Sequence, residues 1–369
     1  MRILAVDVGT GTQDILLFDT AQPVENSVKM VMPSPTQIAA RRIRRATEQG
    51  RPVLLEGTIA GGGPCAWALE EHVRAGLAAF ATPEAALTFD DEIEKVEAMG
   101  VRLVSDDEAR GTDAERVVLR DLDLEAIRRA LAAFDADGGW DAVAAGCLDH
   151  GNAPPGYSDR LFRFDHLRSV VERENDLRAF AFLPQELSEY LTRARSMVRC
   201  LPEGLPAVFL DTGPAAALGA LEDPVVRRAG RQVVLNLGNM HALAFHLQGE
   251  RIVSLYEHHT GEMTTEQIED FTRRLVEGAL RHEEVFGSKG HGAFYAGPDR
   301  EVEGQGGSGD MPLVAVTGPQ RSRLRGSALR PYLAAPHGDM MISGCFGMLR
   351  AFAYRWPAWR EEIEAALEE

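Results

Sequence analysis

The sequence predicts an α/β protein made of two similar halves that face each other across a cleft. Three observations predict it. The chain opens on a strand, a Gly-bearing turn and a second strand, Met1–Asp19 (MRILAVDVGTGTQDILLFD). The same layout returns at residues 232–256 as strand, Gly turn, strand, turn, strand. Between the two copies, strands, Gly-rich turns and helical stretches alternate, as in layered α/β folds. The length, 369 residues, also exceeds what one core usually covers. The expected division is 1–218 for the first half and 219–340 for the second, with a Gly-rich excursion at 286–310. Helices at 341–369 are expected to pack back towards the first half.

The opening hairpin carries the first chemistry. Gly9 and Gly11, in a turn with Thr10, Thr12 and Gln13, leave backbone N–H groups uncovered, so an anion can approach those two glycines closely. Asp7 and Asp14 flank the turn and suit Mg²⁺ held through oxygen or water contacts. After a third extended run at Val24–Met32, Thr36–Gln49 reads as an amphipathic helix closed by Gly50. Pro52–Gly57 reads as a buried strand, Thr58–Pro64 as a Gly-rich turn and Cys65–Ala81 as a helix. Trp140–Gly146 reads as a strand running into Asp149-His150-Gly151, which places Asp149 at a sheet's carboxyl edge.

In the second copy, Gln232–Asn236, Ala242–Leu247 and Arg251–Tyr256 are the strands, with Gly238 in the first turn. Thr265–His282 is the matching helix, paired with Thr36–Gln49 of copy one. Leu313–Gln320 (LVAVTGPQ) is the matching strand and turn, paired with PVLLEGTIAGGGP. Turns from both halves then meet in one cleft.

Composition narrows the function. Hydrophobic residues make up 45% and charged residues 26%, which is globular. Net charge is −17, from 39 basic and 56 acidic residues. That argues against broad binding to nucleic acid or anionic membrane. The N-terminus enters a strand directly, with no secretory pattern, and no apolar run is long enough to span a bilayer. A cytoplasmic location is expected. Cys65, Cys147, Cys200 and Cys345 are far apart and read as reduced thiols.

At this point the chain resembles the actin, sugar-kinase and heat-shock-chaperone ATPase superfamily. Asp7–Asp14 (DVGTGTQD) resembles its first phosphate loop, and Val234–Leu247 (VLNLGNMHALAFHL) its second. Asp211–Leu221 (DTGPAAALGAL) and Met340–Phe352 resemble its two connectors, and Val314–Leu324 (VAVTGPQRSRL) its adenosine motif. The resemblance implies a duplicated, actin-like (ribonuclease-H-like) fold closing on ATP with Mg. Asp7 would sit by the metal, and Gly9–Gln13 with Gly238, Asn239 and His241 would hold phosphate. Thr317 and Gly318 would meet the adenosine. Asp149 falls near the catalytic carboxylate of sugar kinases; with Asp7 and Asp211 it completes the candidate catalytic set. The implied activity is a kinase or an ATPase acting on a small molecule or a partner protein, and an oligomer is compatible with the sequence.

Three departures stand out. Asn236 replaces the Asp that begins the second phosphate loop, Asn239, Met240 and His241 are bulky, and Pro319 follows Gly318 in place of a second glycine. They point to an alternative: a fold relative without nucleotide turnover that acts as a metal-dependent enzyme or a binding module. Glu257–Glu262 (EHHTGE) and Gly290–Gly292 (GHG) resemble, more narrowly, a prokaryotic family labelled for pyruvate formate-lyase activation. A radical activase would need three closely spaced cysteines, which this sequence lacks.

His150, His241, His258, His259, His291 and His337 fall at expected turns. With Asp149, Asp211 and Glu257 nearby, a transition metal is a second expected cofactor, Zn²⁺ or Fe²⁺ by ligand type. The alternative is that each imidazole hydrogen-bonds in its loop or cradles phosphate. Adjacent His258 and His259 would point to opposite faces of a strand, so at most one faces the cleft. The expected metal ligands are Asp7, Asp14, Asp149, His150 and His258.

Overall fold

A computed structural model describes residues 1–136, 139–296 and 311–368. The first half begins with β1 (Arg2–Val8), β2 (Thr12–Asp19) and β3 (Val28–Pro33). An inserted unit follows: α1 (Pro35–Glu48), β4 (Val53–Gly57), α2 (Pro64–Arg74), β5 (Ala79–Ala81), α3 (Pro83–Ala86), α4 (Ile93–Ala98), β6 (Val101–Leu103), α5 (Asp106–Gly111) and β7 (Glu115–Leu119). The first half resumes with α6 (Leu124–Ala132), β8 (Ala142–Cys147), α7 (Asp159–Arg173), β9 (Ala181–Phe182), α8 (Thr192–Arg199) and β10 (Ala207–Leu210). Then come α9 (Thr212–Ala220) and α10 (Pro224–Arg228). The second half holds β11 (Arg231–Leu237), β12 (His241–Gln248), β13 (Arg251–His259), α11 (Thr265–Val276), α12 (His282–Gly287), β14 (Gly292–Tyr295), β15 (Leu313–Thr317) and β16 (Tyr332–Leu333). Helices α13 (Ser343–Arg355) and α14 (Arg360–Glu368) end the described chain.

The two halves carry the same sheet. The strand orders are β3-β2-β1-β8-β10-β9 and β14-β13-β12-β11-β15-β16. Both share a core of three antiparallel strands followed by two parallel ones, with β8 beside β1 and β15 beside β11; the first sheet adds antiparallel β9 beside β10, and the second adds antiparallel β14 beside β13. The turns match as well. Gly9 donates its N–H to the Thr12 carbonyl, and Gly238 donates to the His241 carbonyl, both at 2.9 Å. The alternation of β11 and β12 explains how the second sheet is buried on both faces. Val234, Leu243 and Phe245 join the core shared with α9 and α13. Val233, Leu235 and Ala244 join the core under α11.

The pairing corrects two parts of the repeat. The counterpart of β15 is β8, because each lies parallel to the first strand of its sheet. The Pro52–Gly57 strand instead begins a separate parallel sheet, β6-β5-β4-β7, with its own core. Ala39, Ala40, Ile43 and Ala46 of α1 belong to that inserted core. The counterpart of α11 is therefore α6, whose Ile127 and Leu131 pack in the first half. Part of the expected 286–310 excursion is regular: β14 is the edge strand beside β13. The rest of that excursion, residues 297–310, lies outside those described. Helix α13 packs on α9 and on the first sheet. No helix among the described residues is long and apolar enough to cross a membrane.

Candidate functional site

The two equivalent turns meet at the mouth of the cleft. A Cβ on Gly11 would collide with the side-chain amide of Asn239, so the first turn touches the second. Beneath them lies a crevice of about 90 Å³, lined by Asp7, Thr10, Thr12, Asp14, Thr317 and Gly318 among others. Asp7 and Asp14 face each other as a registered pair on β1 and β2. Asp7 accepts a hydrogen bond from Thr212 Oγ at 2.8 Å. Burial raises its pKa to about 7, against the opposing hydrogen bond. Burial, then the charge of Asp7, raises Asp14 to about 8. Asp14 Oδ1 is buried with no hydrogen-bond partner. Two crowded carboxyls with an unpartnered oxygen fit a divalent cation. The second copy lacks this feature, because β11 and β12 put Asn236 opposite Leu243 at the matching positions. A site built here is one-sided in charge: both carboxylates come from the first hairpin.

This pair makes the cation-free protein sensitive to pH. Folded Asp7 and Asp14 keep their protons up to about pH 7 and 8, whereas unfolded carboxyls lose theirs near pH 4. The folded state therefore binds more protons between those limits, and stability falls as pH rises from about 4 to about 8. Asp14→Asn is expected to flatten this decline. At pH 8 it should raise the stability of the cation-free protein, read by chemical denaturation across pH. An unchanged pH profile would contradict the crowding.

Other expected residues are placed differently. Gln13 turns outward: its Nε2 donates to the Pro33 carbonyl at 3.0 Å. Strand alternation is the reason, since Thr12 and Asp14 occupy the inner face. Asp149 is buried with both oxygens engaged, by Gly151 N–H at 2.8 Å and Ala194 N–H at 2.9 Å. It ties its own loop to the first turn of α8 and aims no free oxygen at the cleft. Asp211 caps α9 through Gly213 N–H and holds Arg163 with both oxygens, at 2.5 and 3.0 Å. His258 turns away from the cleft, its Nε2 3.1 Å from Ser288 Oγ.

His259 takes the place expected of His258. It registers opposite His241, at the adjoining ends of β13 and β12. His291 precedes β14, the next strand, and His150 follows β8 of the first half. One ligand-type nitrogen from each of these four lies within 4.8 Å of the others. Desolvation pulls His150 and His291 far below the ordinary imidazole range, and His259 down as well. His150 and His241 also line a cavity of about 360 Å³ with Gly9, Gly61, Arg193 and Glu257.

A buried ion network supports the cluster. Arg163 is fully buried, pairs with Asp211, and reaches Glu257 with Nε and Nη2 at 3.1 to 3.3 Å. Burial pushes Glu257 up, but Arg163 and the nearby histidines hold it well below the usual carboxylate range. Glu257 Oε1 lies 3.5 Å from His241 Nδ1. Sequence reasoning missed Arg163. It shares helical spacing with buried Phe164, Leu167, Val170 and Val171, so an arginine on an apolar stripe was the available signal.

A family model described as "Putative pyruvate format-lyase activating enzyme (DUF1786)" matches residues 60–323. The chain belongs to this family. No curated protein matches it. Among solved structures, this DUF1786 member is similar to the ROK hexokinase from Thermus thermophilus, at 14% identity and TM-score 0.23, over 68% of this chain and 48% of that one. The chain thus spans about half the length of that hexokinase. It is also similar to the ethanolamine utilization protein EutJ from Carboxydothermus hydrogenoformans, at 13% identity and TM-score 0.30, over 95% of this chain and 89% of that one. A third is the activator of the 2-hydroxyisocaproyl-CoA dehydratase from Clostridium difficile with bound ADPNP, at 9% identity and TM-score 0.33, over 98% of both chains. The DUF1786 chain carries the α/β sheet topology twice, in the duplicated arrangement that the sequence predicts.

Proposed function

We propose that the chain binds ATP with Mg²⁺ between its two turns and uses it as a kinase or an ATPase. One observation carries this reading: the same hairpin turn occurs twice, the copies touch, and a carboxylate pair with an unpartnered oxygen lies directly beneath them. Backbone amides of the turns would take phosphate oxygens, and Asp7 and Asp14 would hold the cation. The cation would relieve the repulsion between the two carboxyls and neutralise charge on the phosphates during transfer. Thr317, Gly318 and Pro319 line the same crevice, and the nucleoside would lie against them. The larger cavity is the place for an acceptor. A radical activase does not suit this arrangement: Cys65, Cys147, Cys200 and Cys345 are all free thiols, on or beside four different elements.

The test is ligand-dependent thermal stability. Mg-ATP at one hundred times its dissociation constant should add about 2.7 kcal/mol, seen as a melting shift of a few degrees. Asp7→Ala should abolish the shift. No shift with the unaltered chain would sink the reading.

A further inference from the structure

We propose that His150, His241, His259 and His291 form a transition-metal site of the Zn²⁺ or Fe²⁺ class that joins the two halves of the molecule. It is separate from the carboxylate crevice and stands whether or not nucleotide binds there.

The geometry of the imidazoles points to it. His150 Nε2 and His291 Nε2 face each other at 3.4 Å. Two nitrogens bound tetrahedrally to Zn²⁺ at 2.0–2.1 Å would be about 3.3 Å apart. The other rings close around them, with His241 and His259 centroids at 4.9 and 4.7 Å from that of His291. The widest nitrogen separation, 4.8 Å, exceeds the tetrahedral edge, so loading would draw the rings inward. His259 Nδ1 lies 3.0 Å from the Lys289 carbonyl. A carbonyl only accepts, so Nδ1 carries the hydrogen and Nε2 keeps its lone pair for a metal.

The surroundings lack something without an ion. His291 is fully buried, and the nitrogen that faces His150 is Nε2. That nitrogen meets only an imidazole. Glu257, also fully buried, has Oε1 3.5 Å from His241 Nδ1, which makes no hydrogen bond; a small closure of the rings on an ion would let this carboxylate back the imidazole. Arg163 is shared between Glu257 and Asp211, which leaves one negative charge uncompensated beside four imidazoles. A divalent cation would offset it.

The placement also says what the ion would do. His241, His259 and His291 come from three adjoining strand ends of the second half, while His150 comes from the first half. Metal would therefore clamp the cleft. With all four positions filled by imidazole, such a site is of the closed, structural kind, although His150 and His241 also line the larger cavity.

The test uses the full chain without an affinity tag, stripped with chelator and reloaded with Zn²⁺, Fe²⁺ or Co²⁺. About one metal per chain is expected by elemental analysis, with visible absorption from tetrahedral Co²⁺. His291→Ala and His259→Ala should lose the metal and the colour. Glu257→Gln should weaken binding about 10- to 100-fold. His258→Ala, which faces away, should retain both. If His291→Ala does not fold, His150→Ala on the half-buried loop should still lower affinity at least about tenfold. Asp7→Ala should keep the metal while losing the nucleotide shift, so the two readings fail separately. An unaltered chain that takes up none of the three ions would overturn the proposal. So would a His258→Ala chain that loses as much metal as the cluster variants.

Discussion

Arg163→Met is expected to lower folding stability by about 3–5 kcal/mol, measured by chemical denaturation at neutral pH. The guanidinium makes bonds to Asp211, to Glu257 and to the Asp149 carbonyl, and its side chain has no solvent exposure. Methionine fills much of the same volume but leaves two buried carboxylates facing each other. Removing one partner of a buried pair costs more than the pair contributes, because the desolvated charge remains. Glu257→Gln added to Arg163→Met removes one of those charges. The double variant should therefore be more stable than Arg163→Met alone. Additive losses would show that the two residues do not act on each other. The network links three parts of the chain: α7 supplies the arginine, the cap of α9 supplies Asp211 and β13 supplies Glu257. Loosening it should also disturb His241, whose Nδ1 lies 3.5 Å from Glu257 Oε1.

That network shows where sequence reading reaches and where it stops. The duplicated hairpins were legible because strand alternation and a glycine turn are local patterns. Gly9 and Gly238 announce their turns within a few residues, and both turns form with the same hydrogen bond. The inserted sheet was not legible. Val53–Gly57 has the composition of a central strand of the main sheet, and only its pairing with β5 and β7 assigns it elsewhere. The histidines fall between these cases. Strand parity allowed at most one of His258 and His259 to face the cleft. Choosing between them needed the register that sets His259 opposite His241. Asp149 sits where a catalytic carboxylate was expected, at the end of β8, yet two backbone donors from α8 and its own loop take both oxygens. Those partners lie 2 and 45 residues away, and the distant one carries no sequence mark. The partners of Arg163 were hidden for the same reason, since they lie 48 and 94 residues on, although its place on an apolar stripe marked the arginine itself.

Gly219→Val is expected to cost about 3 kcal/mol or more and to weaken Mg-ATP binding with it. Helices α9 and α13 cross through glycines that rest on each other's backbone. A Cβ on Gly219 would overlap the Ser343 carbonyl, and one on Gly347 would overlap the Ala215 carbonyl. Backbone cannot rotate aside as a side chain can, so any added group pushes the helices apart. The start of each helix forms a wall of the phosphate crevice. Thr212 opens α9 and bonds Asp7, while Gly344 opens α13 so close to Asp7 that a Cβ there would strike its carboxylate. Separating the helices should therefore shift Asp7 even though Gly219 is remote from it. Gly287→Ala is the control, because a Cβ there meets nothing within 4 Å; it should leave both stability and the nucleotide shift unchanged. Denaturation gives the first quantity and ligand-dependent melting the second. If Gly219→Val stays within about 0.5 kcal/mol of the unaltered chain, the helices do not cross as closely as described, and the crevice does not depend on their contact.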